Sequence, residues 1–89
     1  MNRIRLAVSR GYELSIIQED GATRVECALV GKDGNILPFS ASNGEREEDV
    51  HPNLGLVQLI AIMARVNNKV NWIKLEETVD NEFNSRYSN

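Results

Sequence analysis

Residues 51–68, HPNLGLVQLIAIMARVNN, form the long apolar run of the chain, and their pattern decides the fold. Pro52 suits the first turn of a helix, and Asn53 can cap the free backbone N–H groups there. At the other end, Asn67 and Asn68 tolerate the left-handed conformation that commonly closes a helix. The sequence therefore predicts one helix from Pro52 to Asn68.

The apolar side chains of this helix gather on one side of a helical wheel. That side is predicted to face the core and contains Leu56, Leu59, Ile60, Met63 and Val66, with Val57 and Ala64 beside them. Leu54 and Ile62 lie at the margin of the opposite sector. A helix that is apolar over most of its circumference is normally buried on more than one side. We therefore predict that Leu54 and Ile62 form a surplus apolar margin that a partner covers.

Four segments that precede the helix alternate between apolar and polar residues, which is the period of a half-buried strand. The predicted strands cover residues 3–9, 12–18, 23–30 and 35–40. The turns between them centre on Gly11, on Asp20-Gly21 and on Gly34. The predicted registers pair Val8 with Tyr12, Leu6 with Leu14, Ile4 with Ile16, Ile16 with Val25, Leu14 with Cys27, and Leu29 with Leu37. Each keeps the apolar residues on one face, because a slip of one residue would move them all to the other.

The predicted fold is α+β: a four-stranded antiparallel meander packed on one long apolar helix. Four strands spaced about 4.8 Å apart make a wall wider than one helix of ~10 Å. Residues beyond the helix, or a second subunit, must cover the remainder. Residues 70–75, VNWIKL, suit either a strand or a short helix, in which Trp72 lies near a heptad stripe; we favour the strand. The tail at 84–89 is expected to be frayed.

Composition limits the classes of protein. Eighty-nine residues fit one domain, and 42% hydrophobic with 26% charged residues is ordinary for a globular protein. A net charge of −3 argues against a dedicated binder of the DNA backbone. The single cysteine excludes an intramolecular disulfide, and the apolar run is shorter than the ~20 residues that span a bilayer. We expect a soluble cytoplasmic protein.

Candidates for chemistry are few. His51 is the only histidine, no nucleophile is spaced to it, and it is interpreted as a loop residue at the helix start. Cys27 falls on the core face, where a thiol simply packs. The acidic loop at 40–51 carries Glu45, Glu47, Glu48 and Asp49, but it lacks the alternating carboxylates of a calcium loop. No catalytic residue, metal or cofactor is predicted, and an enzyme is not expected.

Basic residues offer an alternative. Arg3, Arg5 and Arg24 are predicted to share the open face of the sheet, which is the arrangement in this sequence that suits nucleic acid. Glu13 and Glu26 interleave with them, however, and weaken that attraction.

The function that we favour is a non-enzymatic protein-interaction module, with a homodimer as one form. Small acidic proteins of this layout include phage and mobile-element accessory factors and inhibitors of host enzymes, an analogy of size and architecture alone. The predicted partner-binding residues are Leu54, Ile62, Trp72, Glu45, Glu47, Glu48 and Asp49. Two alternatives stay open, a nucleic-acid-binding accessory protein and a structural subunit of a larger assembly.

Overall fold

The alternating residues of the first half of the chain form an antiparallel sheet, which is followed by one helix. The computed structural model describes the backbone of residues 1–9 and 11–87 and the side chains of residues 1–8, 11–71 and 73. The elements are β1 (Asn2–Ser9), β2 (Tyr12–Gln18), β3 (Val25–Val30), β4 (Ile36–Leu37), β5 (His51–Leu54) and α1 (Leu56–Tyr87). The α+β class and the antiparallel sheet are confirmed.

The first hairpin, β1 with β2, has the predicted register over most of its length. Ile4 lies opposite Ile16 and Leu6 lies opposite Leu14. A bulge near the turn then shifts the pairing, so that Ser9 rather than Val8 lies opposite Tyr12. Both apolar pairs remain on the core face of the sheet.

The second hairpin, β2 with β3, differs from the prediction by two residues. Ile16 lies opposite Cys27 rather than Val25, and Leu14 lies opposite Leu29 rather than Cys27. The Gln18 side chain donates to the carbonyl of Ala22 at 2.9 Å, which stabilises a longer connection than the two-residue turn. Because the shift is even, each side chain keeps its predicted face.

The third hairpin, β3 with β4, confirms the pairing of Leu29 with Leu37. Its turn closes on Gly34, whose φ of +83° suits glycine, and the Gly34 N–H donates to the carbonyl of Gly31 at 3.0 Å. The fourth strand is shorter than predicted. Beyond it, Phe39 forms a single bridge with Glu48.

Residues 52–54 were predicted to begin the helix, and this is wrong, because together with His51 they form β5 on the edge of β3. Val25 lies opposite Leu54 and Cys27 lies opposite His51, so one extra residue bulges out of β5. Asn53 takes a φ of 59° in that bulge. A proline is tolerated at an edge or a bulge because it has no N–H to donate. Pro52 therefore marks an irregular edge strand rather than a helix start.

The core lies between the sheet and one side of α1. The core cluster contains Tyr12, Leu14, Ile16, Cys27, Leu29, Phe39, Leu54, Ile62, Val66 and Val70. The prediction of Leu54 and Ile62 as an exposed margin is wrong, because both are buried and Ile62 is only 1% exposed. The helix is rotated relative to the prediction. Its buried stripe runs through Ile62, Val66 and Val70 at intervals of four residues.

The helix does not end at Asn68 but continues through the segment predicted as a strand. α1 has 32 residues and is therefore about 48 Å long at 1.5 Å per residue. The strand that we favoured at 70–75 is wrong, because Val70 and Ile73 continue the core-facing stripe of the helix. The last fourteen residues of α1 carry four acidic and two basic side chains, so the description of one long apolar helix does not hold over the whole length. The side chain of Trp72 lies outside the described residues.

Candidate interaction surface

The first turns of α1 expose four large apolar side chains to solvent. Leu56 is 73% exposed, Val57 80%, Ile60 58% and Met63 39%. On the helical wheel they lie side by side in an arc of roughly 120°, next to the buried stripe. We call these four residues the apolar helix face. The sequence assigned them to the core, so this surface was missed.

The rotation of α1 is fixed by bonds at its N-terminus. The Leu59 N–H donates to the carbonyl of Gly55 at 3.0 Å, which makes Gly55 the N-terminal cap. The side chain of Gln58 reaches back and accepts from the Gly55 N–H at 2.8 Å, which is one half of a capping box. Arg24 then donates to the carbonyl of Asn53 at 3.2 Å and to the Gln58 side chain at 3.3 Å. The apolar helix face is therefore held in a defined orientation.

Strand β1 extends this surface toward the edge of the sheet. Ile4 lies on the core-facing side of the sheet, opposite buried Ile16, yet it is 56% exposed. A shallow groove of about 180 Å³ runs between β1 and α1 and is lined by Leu6, Ala7, Val8, Leu14, Met63 and Asn67. The helix thus leaves part of the apolar wall uncovered, as the width of the sheet predicted.

The acidic loop is tied to α1 by basic side chains. The ammonium group of Lys69 lies 2.6 Å from the Glu47 carboxylate and also donates to the carbonyl of Pro38. The guanidinium of Arg46 lies 3.3 Å from Glu48. Two of the four carboxylates predicted to bind a partner, Glu47 and Glu48, are thus paired with basic side chains of the same chain. The other two carboxylates are those of Glu45 and Asp49, and both residues are exposed.

Arg65 holds the preceding part of the loop. Its guanidinium donates to the carbonyl of Ser40 at 2.9 Å, to the Ser40 hydroxyl at 3.0 Å and to the Asn43 side chain at 2.9 Å. A polar cavity of about 480 Å³ lies beside these contacts, lined by Phe39, Ser40, Glu45, Glu47, Arg65, Asn68 and Lys69. Because its cations already engage the loop, we interpret this cavity as part of the loop packing.

The three predicted nucleic-acid-binding arginines are divided between two places. Arg3 and Arg5 line a groove of about 420 Å³ on the open face of the sheet. Glu13 and Glu26 line the same groove, which therefore has mixed charge. Arg24 instead bonds to the start of α1. The nucleic-acid hypothesis stays a prediction, with two of its three residues together.

His51 was interpreted as a loop residue, and this is wrong, because it is a buried residue of β5. Its Nε2 atom lies 2.8 Å from the carbonyl oxygen of Phe39. The His51 and Phe39 rings also pack together, with centroids 4.2 Å apart and an angle of 36° between their planes. His51 thus connects β5 to Phe39, which lies two residues after the end of β4.

Cys27 lies on the core face, as predicted, and is 2% exposed. Burial, with a smaller contribution from the carboxylate of Glu26, raises the pKa of the Cys27 thiol from 9.0 to about 11. The thiolate is the form that reacts with electrophiles. The geometry thus describes a packed and unreactive thiol.

This description predicts slow alkylation. At pH 8, native Cys27 should react with iodoacetamide at least about 100-fold more slowly than the urea-unfolded chain, because two pKa units reduce the thiolate population by that factor. The rate of the native protein should still rise toward pH 11, whereas that of the unfolded chain should level off above about pH 9. Mass spectrometry of quenched time courses measures both rates. Equal rates at pH 8 would contradict the assignment.

Among the side chains that the structure describes, no three His, Cys, Asp or Glu residues are grouped so that they could hold a metal ion. No helix in the described part of the chain combines the length and the apolarity needed to cross a bilayer. The sequence matches no protein-family model and no curated protein, and the fold matches no solved structure.

Proposed function

We propose that this chain is a non-enzymatic protein-interaction module that binds its partner through the apolar helix face. The observation that carries the proposal is the exposure of Leu56, Val57, Ile60 and Met63 within eight consecutive residues. Monomeric soluble proteins rarely expose large contiguous apolar patches, and those that they do expose often mark interaction sites. Covering this patch with a partner removes apolar surface from water and so favours the complex.

The charge pattern supports the same conclusion. The solvent-facing side of a surface helix normally carries charged and polar residues. Residues 56–64 of α1 contain no charged residue at all. The centres of protein interfaces are likewise depleted of charge and enriched in apolar side chains. The small size and the acidic charge of the chain suit an accessory or inhibitor protein that acts by occupying a surface of its partner.

The test compares two variants that introduce the same charge at similarly exposed isoleucines. Ile60→Glu places a carboxylate in the apolar helix face, whereas Ile36→Glu places one on the open face of the sheet, where Ile36 is 48% exposed. Both should fold, because surface substitutions usually change stability by no more than about 0.5 kcal/mol. Tagged wild-type protein and both variants are used as bait in a lysate of the source organism.

We expect wild-type protein and Ile36→Glu to retain the same protein, and Ile60→Glu to lose at least about 90% of it, which is a tenfold change. Circular dichroism confirms that each bait is folded. If the Ile60→Glu bait retains the same proteins in the same amounts, the apolar helix face does not bind them and the proposal fails. Loss of binding by Ile36→Glu alone would move the interaction to the open face.

A further inference from the structure

We infer that the partner of the apolar helix face is a second copy of this chain, with the two α1 helices packed antiparallel about a two-fold axis near Ile60. This inference rests on the proposed function and names its partner. It follows from the charge of the surface, from the direction of the helix and from the sizes of the side chains that a two-fold axis would bring together.

The apolar helix face is self-complementary in charge. A two-fold interface places the same patch against itself, so a charged residue close to the axis would meet the same charge on the other copy. Residues 56–64 contain none, and the first charged residue after them, Arg65, is held by Ser40 and Asn43. A charged partner would find no charged side chain on this surface with which to form an ion pair. A second copy loses nothing on it, although each copy has a net charge of −3.

The direction follows from the other end of the helix. The last fourteen residues of α1 carry four acidic and two basic side chains. In a parallel pair these acidic segments would run side by side and repel. An antiparallel pair that crosses near Ile60 sends them in opposite directions, because about 40 Å of each helix extends beyond that residue.

The spacing of the side chains fits a two-fold axis at Ile60. An antiparallel pair about this axis places Leu56 against the partner's Ala64, and Val57 against the partner's Met63. The large Leu56 thus meets the small Ala64 at each end of the interface, and the two Ile60 side chains meet at the centre. Small residues allow two helices to pack with their axes about 8–10 Å apart. Ile4, exposed on the neighbouring strand, continues the apolar surface at the rim.

The first test measures the oligomeric state. Sedimentation of the full chain between about 1 µM and 1 mM should show a dimer for wild-type protein and for Ile36→Glu. Ile60→Glu should weaken dimerisation at least tenfold, since it sets two carboxylates against each other on the axis. A wild-type monomer over the whole range would overturn the inference, as would an unchanged dimer of Ile60→Glu. Either result would overturn only the dimer. The comparison of baits in lysate tests the proposed function independently.

The second test measures the geometry with cysteine variants. Ile60→Cys should form a disulfide-linked dimer under mild oxidation, because the two cysteines meet on the axis, whereas Ile36→Cys should not. Buried Cys27 is common to both variants and does not separate them. Leu56→Cys alone should remain unlinked, but Leu56→Cys with Ala64→Cys should cross-link. Efficient cross-linking of the Leu56→Cys single variant would show a parallel pair and overturn the antiparallel arrangement.

Discussion

We expect Ile62→Glu to abolish or strongly weaken cooperative folding of this domain. Ile62 is 1% exposed and packs in the core cluster with Val66 and Leu14. Burying an unpaired carboxylate there costs several kcal/mol, and small domains have a total stability of only about 5–15 kcal/mol. Urea titrations followed by far-ultraviolet circular dichroism should show no cooperative transition, or one whose midpoint lies far below that of wild-type protein.

The matched control is Ile60→Glu, two residues earlier on the same helix. Ile60 is 58% exposed, so its replacement should change the free energy of unfolding of the monomer, measured at a protein concentration too low for dimerisation, by no more than about 0.5 kcal/mol. The pair therefore determines which side of α1 faces the sheet. If Ile60→Glu unfolds the chain and Ile62→Glu does not, the helix has the opposite rotation. In that case the apolar helix face would be part of the core.

The sheet was largely predictable because turn chemistry and alternation act over short distances. The turns at Gly11 and Gly34 give the pairs of Leu6 with Leu14 and of Leu29 with Leu37. Alternation cannot detect a shift of two residues, since such a shift leaves every side chain on its own face. The register of β2 with β3 is fixed by bonds inside the connection, such as that from Gln18 to Ala22.

The rotation of the helix was not predictable from residues 52–68 alone. An apolar helix can bury more than one of its sides. A helical wheel drawn for residues 52–68 also omits any apolar residues in a continuation of the helix. Once α1 continues past Asn68, Val70 and Ile73 join the core side. The core-facing stripe is then longer than the apolar helix face. It contains Leu59, Ile62, Val66, Val70 and Ile73. The continuation past Asn68 was the signal that could have located the candidate surface.

Strand β5 was missed for a different reason, because its partners are distant in the sequence. Leu54 pairs with Val25, and the His51 ring packs on Phe39. Neither contact leaves a local pattern, and Pro52 with Asn53 resembles a helix start as closely as a bulge. Since β5 leads directly into Gly55 and α1, the exposed surface depends on a contact that the sequence does not reveal.

Asn71→Pro should destabilise the domain by about 3 kcal/mol or more, because a proline inside a helix removes one backbone hydrogen bond and clashes with the carbonyl four residues earlier. Asn71 is an exposed residue of α1, so the substitution removes no buried side chain. It follows Val70, one of the residues that anchor the helix in the core. The free energy of unfolding, from urea titration, measures the effect.

The control is Asn71→Ala, which keeps the backbone N–H. Alanine favours a helix over asparagine by about 0.6 kcal/mol, so this variant should be slightly more stable than wild-type protein. In the strand predicted at 70–75, alanine would bring no such gain, because it is depleted in strands. The two substitutions together thus distinguish a continuous helix from a strand. A loss of stability with Asn71→Ala, or a change of less than about 1 kcal/mol with Asn71→Pro, would mean that α1 is interrupted near residue 71.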